Sequence, residues 1–528
     1  MQKRCIYFFL LVSIAVLFHS CRKDSSPSWD VDVQIPLIKT SLTIEDLIAD
    51  SLLQVESGNT VTLVYKNPIY TFQLDTLLDV PDTISHKYYP GLPGAQITAG
   101  QDIYNQTEQE TFDFNGAEVS RLDLSRGFIA VEFINTLNEE VLITYKILSA
   151  TKNGQYFQIT KTVPAANGTP YHFKERFDVS GYSLDMRGQN LLSSNHIVTS
   201  SKAQLSATAN TVTLTAQDQF DMLVTFEEVG ISYARGYFAQ HQYSFGPSNS
   251  PIKLFNSIHG GTIDLESIKM SLYFENNFGV DVRVKFKEIT AINTQSGHEI
   301  ALNSPVIGQT INISRALETY NPSQPVTPSV YAFDLNSSNV LDMVENLPDQ
   351  MRYSIDVESN PLGNISSGND FVYAGKNLTA YLDMEIPLSL MASNLNLGDT
   401  MAFSLGEVDD SRQINSGELM LLADNGFPFN AEVMLIALDA EGNVIDIIID
   451  HEFIQDAPLN SDGFAPDAVR SVIHVPLSRE RIDLLYSASQ LYVAAYFNTT
   501  NAGSQYVHIY DSYRLDMKVT GKFNYVVE

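Results

Sequence analysis

Cysteine is nearly missing from this 528-residue chain, which has only Cys5 and Cys21. Basic side chains are scarce too: 32 Lys and Arg stand against 62 Asp and Glu, for a net charge of −30. Nucleic acid and anionic lipid both require a basic surface, so neither is an expected partner. The acidity suits a body that resists association with its neighbours. No later segment is apolar over the about 20 residues a helix needs to cross bilayer hydrocarbon, and Trp29 is the one tryptophan.

What is present begins with Lys3 and Arg4, followed by an uncharged, mostly apolar run from Cys5 to Phe18. That order is the order of a secretion signal, over residues 1–20. Leu17-Phe18-His19-Ser20-Cys21 resembles a lipobox, and the chain as a whole resembles the envelope lipoproteins of the Bacteroidota. The resemblance implies that Cys21 becomes the lipid-bearing first residue, anchored by two or three acyl chains. Loss of the signal removes two basic and no acidic residues, taking the charge from −30 to −32. With Cys5 cleaved away and Cys21 lipidated, the body has no thiol left for a disulfide, a Cys-ligated zinc or a cysteine nucleophile. Residues 21–28 then form the lipidated cysteine and a polar tether containing Pro27. Lys23-Asp24 resembles the charged signal that sends some such lipoproteins to the cell surface, so both the periplasmic and the surface orientation are open.

Internal repeats carry the architecture. Leu122–Lys146 aligns without a gap on Ile263–Lys287, and Ile414–Leu438 aligns on both. Asn135, Asn276 and Asn425 coincide, each followed two residues later by an apolar residue, Leu137, Phe278 or Phe427. Alternating apolar and polar residues break at the Asn and resume, which predicts two half-buried strands joined by a short turn. Asparagine suits such a turn through its side-chain amide and its tolerance of left-handed backbone. An apolar-Asp-apolar strand recurs at Val31-Asp32-Val33, Phe220-Asp221-Met222, Leu382-Asp383-Met384 and Leu515-Asp516-Met517, with the carboxylate expected on the outer face. Ile35-Pro36-Leu37 and Ile386-Pro387-Leu388 predict edge strands or strand ends. Ser478 is an expected N-cap for a helix at 479–485, and Ser338–Leu347 predicts a second helix.

These patterns predict a mainly β chain of tandem antiparallel β-sandwich modules, immunoglobulin-like in layout, with one short helix each. The expected division is a divergent N-terminal β segment over 29–115 and modules over 116–255, 256–400 and 401–528. The strand-turn-strand pattern, with Lys66-Asn67-Pro68, is similar to the late-embryogenesis and water-stress type of β-sandwich domain. That similarity implies a fold and no activity.

Catalytic and metal motifs fail on spacing. His298-Glu299 and His451-Glu452 would open a zinc-protease helix only with a His where Leu302 and Gln455 stand. No nucleophile elbow, phosphate loop or dinucleotide fingerprint occurs, and no catalytic, cofactor-binding or metal residue is assigned. Asp439-Ala440-Glu441-Gly442-Asn443 and Ser461-Asp462-Gly463 read as turns supplied with Gly rather than calcium loops. Tyr88-Tyr89, Tyr237 and Tyr243 are candidates for a sugar platform. Asp50-Ser51-Leu52, Asp75-Thr76-Leu77, Asp82-Thr83-Ile84 and Asp399-Thr400-Met401 resemble Bacteroidota O-glycosylation acceptors. The expected function is that of a non-catalytic lipoprotein of the outer membrane, binding an envelope protein or glycan, or structural. The alternative is a polysaccharide-acting enzyme or sugar-binding accessory at the cell surface.

Overall fold

The computed structural model describes residues 29–44, 52–73, 82–255, 258–404, 412–500 and 504–527. Cys21, the signal, the tether, Asp50-Ser51 and Asp75-Thr76-Leu77 lie outside them. The described chain is mainly antiparallel β-sheet with two short helices, α1 (Val340–Glu345) and α2 (Arg479–Leu485).

Three sandwiches share one strand plan. Around Asn135, one layer runs Thr83–Pro90, Gln219–Tyr237, Glu118–Asn135, Tyr171–Asp178. Its other layer runs Asp102–Thr111, His196–Leu205, Val141–Lys152, Gln155–Val163. Around Asn276 the layers are Val61–Phe72, Leu378–Pro387, Lys269–Asn276, Ser329–Asp334 and Gln242–Pro251, Gln350–Ser359, Val282–Asn293, His298–Ala301. Around Asn425 they are Trp29–Thr43, Arg514–Val527, Arg412–Asn425, Val469–Leu477 and Ile258–Leu265, Ser389–Ala402, Gln490–Thr499, Phe429–Leu438, Val444–Ile454. Alternation fills each interior: Val141, Ile143, Tyr145 and Ile147 are buried while the residues between them are half-exposed.

The segment 29–115 is distributed by this plan. Its strands Trp29–Thr43, Val61–Phe72 and Thr83–Pro90 join the Asn425, Asn276 and Asn135 sandwiches respectively, the reverse of chain order. By compactness the chain divides into two units. Of the described residues, one comprises those up to Leu63, those in Leu254–Ser267 and those from Ile386; the other comprises those in Val64–Lys253 and Ile268–Glu385.

Each repeated asparagine stands where the chain leaves one layer for the other, since the strands before and after it take different partners. A crossing chain cannot satisfy its backbone with a ladder, and the buried amide does so instead. Asn135 Nδ2 donates to the Glu139 and Pro164 carbonyls at 3.0 and 2.8 Å, while its Oδ1 accepts from Leu137 N at 3.0 Å. Asn276 repeats this with Val280 and Ser314, both at 2.9 Å, and Phe278 N at 3.0 Å. Asn425 repeats it with Phe429 at 2.7 Å, Gln455 at 2.9 Å and Phe427 N at 3.0 Å. The apolar residue two places on returns the bond: the Leu137, Phe278 and Phe427 carbonyls accept from the amides of Ala166, Ala316 and Ala457.

Three of the four repeated aspartates fall on equivalent strands, whereas Val31-Asp32-Val33 lies on the edge strand Trp29–Thr43. Asp221, Asp383 and Asp516 are half-exposed on the strand beside the asparagine strand of each sandwich, with Phe220, Leu382 and Leu515 buried next to them. Pro36 lies on an edge strand at a register shift, and Pro387 ends its strand. Ser478 caps α2, its side chain accepting from Arg481 N. In the Asn276 and Asn425 sandwiches a helix joins two strands, but in the Asn135 sandwich a three-residue strand, Ser183–Asp185, takes that place. It pairs with both Glu118–Asn135 and Val141–Lys152, so it stitches the two layers together.

Replacing Asn276 by Ala leaves two carbonyls and one amide unpaired in the interior. We expect a loss of about 3 kcal/mol, read as a shift of the urea-induced unfolding midpoint.

Candidate binding groove

The bridging strand alternates like any other. Leu184 points inward and is buried, which sends Ser183 and Asp185 outward. Over them lies an open groove of about 1030 Å³, lined from neighbouring strands and loops by Arg121, Tyr156, Arg187, Arg235 and Asn369, by serine, threonine and glutamine side chains, and by Leu148, Leu191 and Val198. Gly188 shapes one wall: its φ of +70° favours glycine, and an added Cβ would lie 2.6 Å from Gln109 Oε1.

Three arginines in one groove stand out on so acidic a chain, and each is held in place. Arg121 forks onto Asp123 with both bonds at 2.9 Å, and Arg187 forks onto Asp185 at 2.9 and 2.7 Å. Arg235 donates through Nε to Tyr233 OH at 2.8 Å, through Nη1 to Asn369 Oδ1 at 3.3 Å and through Nη2 to Glu318. Glu318 also accepts from Tyr233 and Tyr373 at 3.0 and 2.9 Å. Burial pushes the Tyr233 phenol up to about 12. The Arg187 hydrogen bond holds the Asp185 carboxyl below the ordinary carboxylate range. A guanidinium carries five N–H donors, and a carboxylate fork uses two. Arg121 and Arg187, each about half exposed, therefore keep donors for a ligand. Tyr156 is 57% exposed, and Leu191 and Leu192 nearby are 54% and 88% exposed, so the polar floor has an apolar rim.

Arg315 in the same unit has a different setting. It donates to Asp281 and to the fully buried Asp370, which also accepts from Asn360 Nδ2 at 2.7 Å and Phe238 N at 3.2 Å. The Arg315 and Asp281 side chains are largely buried, and Asp370 is fully so.

The residues singled out in the sequence lie elsewhere. Asp439 folds its loop by accepting from the amides of Glu441 and Asn443, closing the hairpin between Phe429–Leu438 and Val444–Ile454. Asp462 and Gly463 sit in a turn organised by Asn460. Glu299 is paired with Arg352, and His451 with Glu432. Among the described residues no group of three or more His, Cys, Asp or Glu could hold a metal ion. Tyr88 is exposed and bonds Gln219, Tyr89 stacks on Tyr104, and Tyr243 packs against Phe72 and Phe245. None of them lines the groove, and Tyr156, which does, was not singled out. Its one sequence signal is an aromatic beside the Asn153-Gly154 turn.

No family model and no curated protein matches this sequence. Among solved structures, it is similar to a chain from Parabacteroides distasonis ATCC 8503 named "putative secreted protein", with 9% identity, 94% of this chain and 99% of that chain covered, and a TM-score of 0.27. It is also similar to the PBCV-1 virus capsid, with 9% identity over 59% of this chain and 95% of that one and a TM-score of 0.11. Both overlays are distant, and the groove is read on its own chemistry.

The two kinds of ion pair respond differently to mutation. Asp185→Ala or Arg187→Ala, at a half-exposed pair, is expected to change stability by less than about 1 kcal/mol. Asp370→Ala removes the buried carboxylate shared by Arg315, Asn360 and Phe238 N and is expected to cost about 3 kcal/mol or more. Thermal melts of the variants side by side check this contrast.

Proposed function

We propose that this protein is a non-catalytic binding lipoprotein of the bacterial envelope, held at the outer membrane through lipid on Cys21, and that the groove over Ser183–Asp185 receives a glycan. The observation that carries this reading is the chemistry of the lining. Hydroxyl and amide groups, forked arginines and an exposed tyrosine ring converge there, and one carboxylate, Asp185, is already held by Arg187. Fixed donors plus an aromatic face suit a hydroxyl-rich ligand. Glycoside hydrolysis calls for two facing carboxylates, and the groove lining supplies one. A protein partner is the second reading, favoured by exposed Leu191 and Leu192 at the rim. Aromatic, arginine and apolar residues are the usual composition of such a contact. In the described residues no helix is long and apolar enough to cross a membrane.

Gel electrophoresis through embedded polysaccharides tests the glycan reading. Retardation is expected, and Tyr156→Ala is expected to weaken it by up to about tenfold, the worth of one aromatic contact. Because Asp185 ionises below the usual range, its fork with Arg187 forms above that low value and is lost only as pH falls through it. Retardation should accordingly be flat between about pH 5 and about pH 9. No retardation by any polysaccharide, with crosslinking to an envelope protein through the Leu191–Leu192 rim, would replace this reading with the second.

A further inference from the structure

The unit that contains the Asn425 sandwich holds a cavity of about 140 Å³, and all eighteen residues lining it are Ala, Ile, Leu or Phe. Its wall is built with some care. Along Ser389–Ala402 the inward residues are Leu390 and Ala392, then Leu395 and Leu397, so the parity of the strand changes between them. Asn394, with φ of +50°, makes that change. Opposite it, the pairing of Ile258–Leu265 shifts register at Gly260 and Gly261, and inward Ile263 and Leu265 give way to inward Ile258. Gly261 has φ of +93°, and a Cβ there would lie 2.2 Å from the Asn394 carbonyl oxygen, so the double bulge depends on this glycine. Unbroken alternation would have turned one half of each strand's apolar row outward. The paired irregularities keep an unbroken apolar wall around a bend. Leu254, Phe255, Ile258, Leu397 and Phe497 are half-buried, so the cavity has an apolar mouth as well as an apolar interior.

Close-packed interiors leave few voids larger than a water molecule. A cavity of this size with no polar side chain in its lining takes apolar guests of about six carbons. A peptide or sugar entering it would lose hydrogen bonds with no replacement, whereas hydrocarbon loses none. We propose that the cavity is a binding site for the end of a single alkyl chain, about six carbons deep, with the polar head of the ligand left outside in solvent. The site is independent of the groove and of the ligand assigned there.

The test is displacement of cis-parinaric acid from the full-length protein by straight-chain carboxylates and by monoacylglycerols, from about four to about fourteen carbons. Affinity should rise about fourfold with each methylene that enters and level off once about six are inside. The two head groups should behave alike. Ala392→Phe and Leu395→Trp fill the space from different sides, and each should weaken displacement at least about tenfold while melting no lower than the parent and leaving groove binding unchanged. The proposal is overturned by no dependence on chain length, by a rise that continues past the cavity's capacity, or by undiminished binding in a variant that melts like the parent. Stabilisation by both fillers with no chain bound in the parent would mark the space as a packing void, and would also overturn it.

Discussion

Everything in the sandwich plan depends on one side-chain amide being buried where the backbone has no ladder to join. A strand that ends in one layer and resumes in the other exposes carbonyls and amides to an apolar interior, and leaving them unpaired there is costly. Asn135, Asn276 and Asn425 each meet that demand with two donated bonds and one accepted. Glutamine would be one methylene too long for the same fit, and aspartate would offer no donor to the two carbonyls. Repetition of the residue thus follows from repetition of the crossing.

Departure from the plan is as informative as adherence to it. Where the other two sandwiches place a helix, the Asn135 sandwich places a strand of three residues that pairs with both layers. That substitution closes one end of the sandwich and brings Arg121, Arg187 and Arg235, from three separate parts of the chain, to one concave surface. Repeated scaffold supports the groove, and the irregular member forms it.

Much of the scaffold was legible in the sequence and most of the site was not. The asparagines stand at constant offsets from their strands, so a gapless alignment found them, and their turn role follows from amide chemistry. The outward aspartates, the proline strand edges and the Ser478 cap were legible because each is a rule about a few adjacent residues. Ala166, Ala316 and Ala457 were invisible, because the loops separating them from their asparagines differ in length and alanine has no chemical signature. The distribution of 29–115 among three sandwiches was hidden because pairing partners lie far along the chain. Arg187 next to Asp185 looks like an ordinary surface pair until Ser183–Asp185 is seen to bridge two layers. The alkyl-sized cavity was equally hidden, since its wall reads as two commonplace apolar strands until Gly261 and Asn394 are placed opposite each other.

The pairing of Trp29–Thr43 with Arg514–Val527 bears on biogenesis. A strand early in this sequence waits for one far along it, and Val61–Phe72 and Thr83–Pro90 wait for successively nearer partners. Completion therefore runs from the innermost strand pair along the sequence outward, and for most of its synthesis the chain carries open sheet edges. Such edges recruit strands from other molecules.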